Sequence, residues 1–175
     1  MSEQVLVATT PEDYDAFATL YREYQEWLHE RYTTVPGLID GVGSHQAMDE
    51  EIKALPQTYG PPAGKTLLAL RHGAVVGCVS YRDLHDGTCE MKRLFVPERF
   101  RAKGTGRRLC RRLVDDATAD GFTLMRLDTG SLQHEAMSMY ESMGFRRCPP
   151  YHHYPDELMA HLRFMELPLH LPPGA

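Results

Sequence analysis

Arg101-Ala102-Lys103-Gly104-Thr105-Gly106 stands directly after an apolar run, Cys89–Val96, and directly before a segment of helical periodicity, Gly104–Asp120. Two glycines one residue apart remove side chains where a chain turns into a helix, so backbone N–H groups can close on an anion. The helix adds its unpaired N-terminal donors and the positive end of its dipole. Formal charge gathers at the same place. Between Lys92 and Arg112 there are nine Lys or Arg and one acid, Glu98, in a chain whose formal net charge is −5. One anion site in an otherwise acidic chain is implied, and a surface coated for nucleic acid is not.

The segments around this stretch read as a mixed sheet. Upstream, Thr66–Arg71, Val75–Leu84 and Cys89–Val96 are strand-sized apolar runs. His72-Gly73 and His85-Asp86-Gly87 separate them, as hairpin turns do, which predicts an antiparallel meander. Pro97–Lys103 is a basic loop. Downstream, Leu109, Leu113 and Ala117 with Cys110 and Val114 give the buried stripe of the helix, and Gly121 ends it. Thr123–Asp128 is a further strand. Gln133–Met143 is a helix with Ala136, Met139, Tyr140 and Met143 on one face, and His161–Leu167 is a last strand before Pro168.

At the other end of the chain, Gln4–Ala8 is a short strand. Thr10 caps a helix with Pro11 at its first position. Phe17, Leu20, Tyr21, Tyr24 and Leu28 form one face of it to about His29. Residues 33–64 are rich in Gly and Pro, with a short helix expected around Gln46–Leu55, and read as a substrate-side loop. The expected fold is α/β (α+β): one domain over 1–175, with a mixed, mainly antiparallel sheet of about seven strands and helices on both faces.

Composition sets the outer limits. A chain of 175 residues, 42% hydrophobic and 25% charged, has the ordinary globular balance and can bury a core without staples. No apolar run approaches the roughly 18 residues of a membrane span. The stretch MSEQVLVATT has no basic n-region or h-region, so no signal peptide is expected. Cysteines at 78, 89, 110 and 148 show no C-x-x-C spacing, which suits reduced thiols in a cytoplasmic protein.

Cys89-Glu90-Met91-Lys92-Arg93-Leu94-Phe95-Val96-Pro97 followed by Arg101–Gly106 resembles the acyl-CoA motif of the GNAT superfamily of N-acetyltransferases. Its usual form is a strand, a short loop, Q/R-x-x-G-x-G/A and a helix. About thirty residues on, Glu135-Ala136-Met137-Ser138-Met139-Tyr140-Glu141-Ser142-Met143-Gly144-Phe145 is similar to the family's second signature, A-x-x-L-Y-x-x-x-G-F. The cofactor-binding core would then span about 89–147. The resemblance implies an acyl-CoA N-acyltransferase fold, acetyl-CoA as cosubstrate and no metal. It also implies that backbone groups at Leu94, Phe95 and Val96 grip pantetheine. Arg101, Ala102, Lys103, Gly104, Thr105, Gly106 and Arg107 would hold the pyrophosphate. The family commonly has Asn seven residues before the tyrosine; here that position is Gln133.

The chemistry implied is transfer of acetyl to an amine by direct attack, and the amine must first lose its proton. Glu90 matches one family position for a base and Asp128 another. Tyr140 matches the tyrosine that protonates the leaving thiolate, or it fills the helix face as a buried tyrosine. The expected partner is a small-molecule or peptide amine, with a cationic acceptor weakly favoured by the acid outside the basic segment. No membrane is expected, and the chain would act as a monomer or homodimer. Two other classes remain at this point: a non-catalytic acetyl-CoA sensor, and a nucleic-acid module using helix 104–120. Gly60-Pro61-Pro62-Ala63-Gly64-Lys65-Thr66 is not a P-loop, because three residues rather than four separate its outer glycines. Tyr151-His152-His153-Tyr154 reads as a polar loop lining the acceptor pocket, with no carboxylate or cysteine set expected to complete a metal site.

Overall fold

The computed structural model describes residues 3–35, 45–101 and 104–170, with the side chains of 45–47 left aside. The Gly- and Pro-rich stretch expected as a substrate-side loop falls partly outside these residues, at 36–44, as do Ala102 and Lys103. In chain order the elements are β1 (Gln4–Val7), α1 (Pro11–Arg31), α2 (His45–Lys53), α3 (Leu55–Tyr59), β2 (Gly64–Arg71), β3 (Ala74–Asp83) and β4 (Thr88–Phe95). Then follow α4 (Thr105–Ala119), β5 (Leu124–Gly130), α5 (His134–Ser142), β6 (Arg146–Arg147), α6 (Asp156–Met159) and β7 (Leu162–Pro168).

Local chemistry fixes most boundaries. Thr10 and Asp13 form a reciprocal capping box at the start of α1: Asp13 N donates to Thr10 Oγ1 at 3.2 Å, and Thr10 N to Asp13 Oδ2 at 3.0 Å. The one short helix expected at Gln46–Leu55 is two. Pro56 has no N–H to extend a preceding helix, and it sits in the first turn of a new one. A two-residue β6, a four-residue α6 and a 3₁₀ turn at Glu98–Phe100 were not expected, since none is long enough to show a period.

The seven strands lie in the order β1-β2-β3-β4-β5-β7-β6. Every neighbouring pair is antiparallel except β4 and β5, which α4 connects as a crossover. That parallel pair is short. Thr88, Cys89 and Glu90 face Leu124, Met125 and Arg126, and the pairing ends there. Beyond it β4 stays paired with β3 as far as Phe95, and β5 with β7 as far as Gly130. The sheet therefore opens into a cleft between β4 and β5. A bulge shapes its β4 wall. Cys78 is opposite Phe95 and Ser80 opposite Lys92, leaving one extra residue on β4, and Arg93 turns with φ 57°.

Both faces of the sheet are covered. Leu109, Cys110, Leu113 and Ala117 of α4, with Tyr140 of α5, pack with Val79, Met91, Met125 and Leu127 on one face. Phe17, Ala18 and Leu20 of α1 pack with Leu55 and Tyr59 of α3 over Leu68, Cys78 and Phe95 on the other. Met139 and Met143 join the first cluster as expected. Met137 does not; its sulfur accepts from Arg147 at 3.6 Å on the outside.

Candidate functional site

At one end of the cleft stands the first turn of α4. Gly104 takes the N-cap position with φ 73°, a left-handed conformation that suits glycine. It offers no capping side chain, and no acid stands in the first turn. The first N–H groups of a helix have no intrahelical acceptor, so this end presents donors and a partial positive charge. Gly106 is uncrowded: among the described residues a Cβ there would make only ordinary contact, with Met139 Sδ and Val96 Cγ2, both at 3.9 Å. No described atom crowds that position, where α4, α5 and the end of β4 meet. The donor set and the space fit a diphosphate.

The basic residues around it are less free than their sequence suggests. Arg101 donates to Val96 O at 2.8 Å and lies over the ring of Trp27. Arg107 donates to Ser142 Oγ at 2.7 Å. Glu3 reaches in from the chain start and accepts from Arg71 at 2.6 Å, Thr105 Oγ1 at 2.7 Å and Arg108 at 2.7 Å. Burial pushes the Glu3 carboxyl up, but these three donors outweigh it and hold it below the usual carboxylate range. Arg99 pairs with Glu23, and Arg112 with Asp116 at 2.7 Å. Much of the concentrated charge is thus answered by acids, some local, as Asp116, and others from distant parts of the chain, as Glu3 and Glu23.

The walls of the cleft carry the other expected residues. Leu94 packs against the α4-side core, while Phe95 is buried against Tyr24 and Trp27 of α1, and Val96 is buried at the strand end. Gln133 precedes α5 and makes no side-chain cap there. Tyr140 is buried beside Phe145, ring centroids 5.7 Å apart. Burial first, then Cys110, Tyr24 and Asp128, holds its phenol well above the ordinary value, so it is protonated at neutral pH. Tyr24 and Asp128 belong to the other side of the sheet.

Glu90 sits at the vertex, on the last residue pair before the strands part. It is completely buried. Oε2 accepts from Arg82 Nε at 2.7 Å; Oε1 accepts from Tyr151 OH at 3.0 Å and lies 2.8 Å from His152 Nε2. Asp128, on the β5 wall, accepts from Lys92 Nζ at 3.1 Å and Tyr154 OH at 3.0 Å. Lys92 Nζ is also 3.5 Å from Glu90, so one ammonium links both carboxylates. Next to them Arg93 pairs with Glu51 of α2 and lies 4.6 Å over the ring of Tyr21. Among the described residues its buried Nε has no hydrogen-bond partner, a gap of the kind that costs about 1–3 kcal/mol.

The sequence reading of the histidine loop needs one correction. Carboxylates do join it: Glu90, Asp128 and His152 bring ligand-type atoms within 4.8 Å of one another. The residues come from β4, β5 and a loop sixty residues away, so no spacing could announce them. As a metal site the group is poor, because Lys92 already stands as a cation within 3.5 Å of both carboxylates and would repel a divalent ion. As a proton-handling group it is well built.

Comparison with known proteins agrees with the geometry. The family model for acetyltransferases of the GNAT family matches residues 15–145. The chain is 32% identical to an uncharacterised N-acetyltransferase of Schizosaccharomyces pombe, over 87% of this chain and 88% of that one. It is 39% identical to an IAA acetyltransferase of Azospirillum brasilense, over 65% of this chain and 73% of the other. A solved PaiA N-acetyltransferase of Thermoplasma acidophilum, in complex with coenzyme A, superposes with a TM-score of 0.68 at 17% identity, covering 96% and 99% of the two chains. Among the described residues no helix is long and apolar enough to cross a membrane. The split sheet, the uncapped helix end beside its cleft and the family match converge: the chain belongs to the GNAT family and is an acetyl-CoA-dependent N-acetyltransferase.

Proposed function

We propose that the cleft between β4 and β5 takes the acetyl-bearing arm of acetyl-CoA, with Glu90, His152 and Tyr140 moving the protons of transfer to a small amine. The observation that carries this reading is the coincidence of the Glu90–His152 pair with the point where β4 and β5 part. Bound acetyl-CoA supplies an activated thioester. The backbone of Leu94, Phe95 and Val96 lies along one wall, and the N–H groups of Thr105, Gly106 and Arg107 face the diphosphate. Glu90 orients His152 by accepting Nε2–H, which leaves Nδ1 to take a proton from the amine. Glu90 holds the resulting imidazolium. Tyr140 donates its phenolic proton to the departing thiolate. Asp128, tied to Lys92 and Tyr154, holds the ammonium that links it to Glu90. Cys78 and Cys89 are pushed up to about 12 by burial, so neither is a thiolate that would carry the acetyl group first. Transfer is direct.

Donor binding is measurable before an acceptor is known. At about 100 times Kd, CoA should add about 2.7 kcal/mol to the folded state, or roughly 5–11 °C in Tm for a chain of this size. Desulfo-CoA should do nearly as well, because the grip is on phosphate and pantetheine. A scan showing no shift with either would remove the reading.

Gly106→Val separates cradle from fold. Its Cβ meets nothing closer than 3.9 Å, so Tm should stay close to that of the parent, while the side chain fills the diphosphate space and calorimetry should find CoA binding lost. Gly104→Val is the less clean variant, since φ 73° strains any β-branched residue. Normal CoA binding by Gly106→Val would mean the diphosphate lies elsewhere.

A further inference from the structure

The acceptor side of the cleft is electrically balanced. The cations Arg82, Lys92 and Arg93 pair with the carboxylates Glu90, Asp128 and Glu51, and Lys92 bridges Glu90 and Asp128. A polyamine or any other multiply cationic acceptor would need surplus carboxylate here, and none is present among the described residues. A zwitterion needs what is present: carboxylates at one end and a guanidinium at the other. This also redirects the weak preference for a cationic acceptor drawn from overall charge. The acid excess is spread over the chain, and several of its members are spent pairing the basic segment.

Arg93 and Tyr21 already form a receptor for one carboxylate. Arg93 NH2 donates to Glu51 Oε1, and Tyr21 OH donates to Glu51 Oε2 at 2.7 Å. A guanidinium and a hydroxyl converging on the two oxygens of one carboxylate is the geometry by which proteins recognise that group. The occupant is the protein's own Glu51, whose side chain is 34% exposed, whereas Arg93 is 21% exposed and keeps its buried Nε without a partner. Among the described residues the receptor thus keeps one donor to spare. Glu51 is the outermost member of the set and belongs to the short helix α2. Arg93 owes its place to the bulge: the extra residue on β4 turns with φ 57° beneath α1, α2 and α3 instead of entering the alternation of the strand.

Spacing supports the same occupant. Glu90 and Arg93 are three residues apart on β4, at most about 10 Å along a strand. An α-amino acid whose ammonium and carboxylate each make a hydrogen bond of about 3 Å covers about the same span. We propose that the acceptor is a free amino acid or similar zwitterion, its carboxylate taken by Arg93 and Tyr21 in place of Glu51 and its amine presented to the Glu90–His152 pair. The proposal rests on the acetyltransferase reading of this cleft. It makes Arg93 and Tyr21 specificity determinants and Glu51 a stand-in that the substrate displaces.

The test is a steady-state panel with acetyl-CoA, in which the common L-amino acids are each compared with the corresponding carboxamide, and spermidine and a capped-lysine peptide are included. The best amino acid should have a KM about 10–100-fold below that of its amide, the worth of one charge-assisted contact. Arg93→Gln should collapse that preference to near unity. Arg93→Lys should retain part of it, which covers the case in which the glutamine variant does not fold. Glu51→Gln should lower KM for the amino acid, because a weaker internal competitor is easier to displace. A purely structural ion pair would give no such gain. Amides acetylated as well as acids, spermidine or the peptide as the best acceptor, or a raised amino-acid KM in Glu51→Gln would each overturn the proposal while leaving the transferase reading intact. CoA that fails to bind by calorimetry would remove both.

Discussion

Tyr140→Phe is expected to lower kcat by about 10²–10⁴-fold while leaving CoA affinity almost unchanged. The substitution removes one hydroxyl and keeps the ring, so its contact with Phe145 and the α4-side core survives. Burial and the nearby acid keep the phenol protonated, which is the form a proton donor needs. Leaving-group protonation matters only as the thioester breaks, so the loss belongs to the transition state and appears in kcat and kcat/KM alike. Isothermal titration with CoA and a melting curve provide the two controls. Full kcat in the phenylalanine variant would make Tyr140 a packing residue and leave thiolate protonation to water.

Glu90→Gln acts on the other proton. At neutral pH the rate should fall by about 10²–10⁴-fold and recover partly as pH approaches the pKa of the acceptor amine, where no base is needed. His152→Gln should give the same profile, because Glu90 works through Nε2 of that ring at 2.8 Å. Asp128→Asn is the control and should leave the shape of the pH profile alone. Glu90 is fully buried against Arg82, so its neutral variant will lose stability, and rates must be read at temperatures where all variants are folded. Alkaline rescue in Asp128→Asn together with wild-type behaviour in Glu90→Gln would exchange the two assignments.

What could be read in advance was what acts locally. The glycine pair, the helix stripe after it and the alternating runs of the meander express their conformation through neighbours in sequence, and α4, β2, β3 and β4 lie within a residue or two of their expected bounds. The site divides along the same line. Glu90, Asp128 and Tyr140 could be singled out because the family resemblance points to those positions on two strands and a helix. His152 was legible only as part of a polar loop lining the acceptor pocket; its pairing with Glu90, across sixty-two residues and from a stretch with no period, was not. Arg93 was hidden for another reason. A bulge reverses which side of the strand a residue faces, and only the register with β3 reveals it. The basic segment misled in degree: several of its counter-charges, Glu3 and Asp128 among them, are remote in sequence and adjacent in space.

Among the described residues, three residue pairs join β4 to β5, with Gly87 O accepting from Thr123 N and Leu124 N at the turn beside them. Mechanically the sheet is two plates meeting at a narrow waist, with Glu90 and its partners at the waist and an open seam beyond it. A donor arm lying in that seam would bond to the free edges and splint the plates together. Filling the donor site and stiffening the acceptor wall are then a single equilibrium, so the molecule has no need of a separate lid to tell one substrate that the other has arrived.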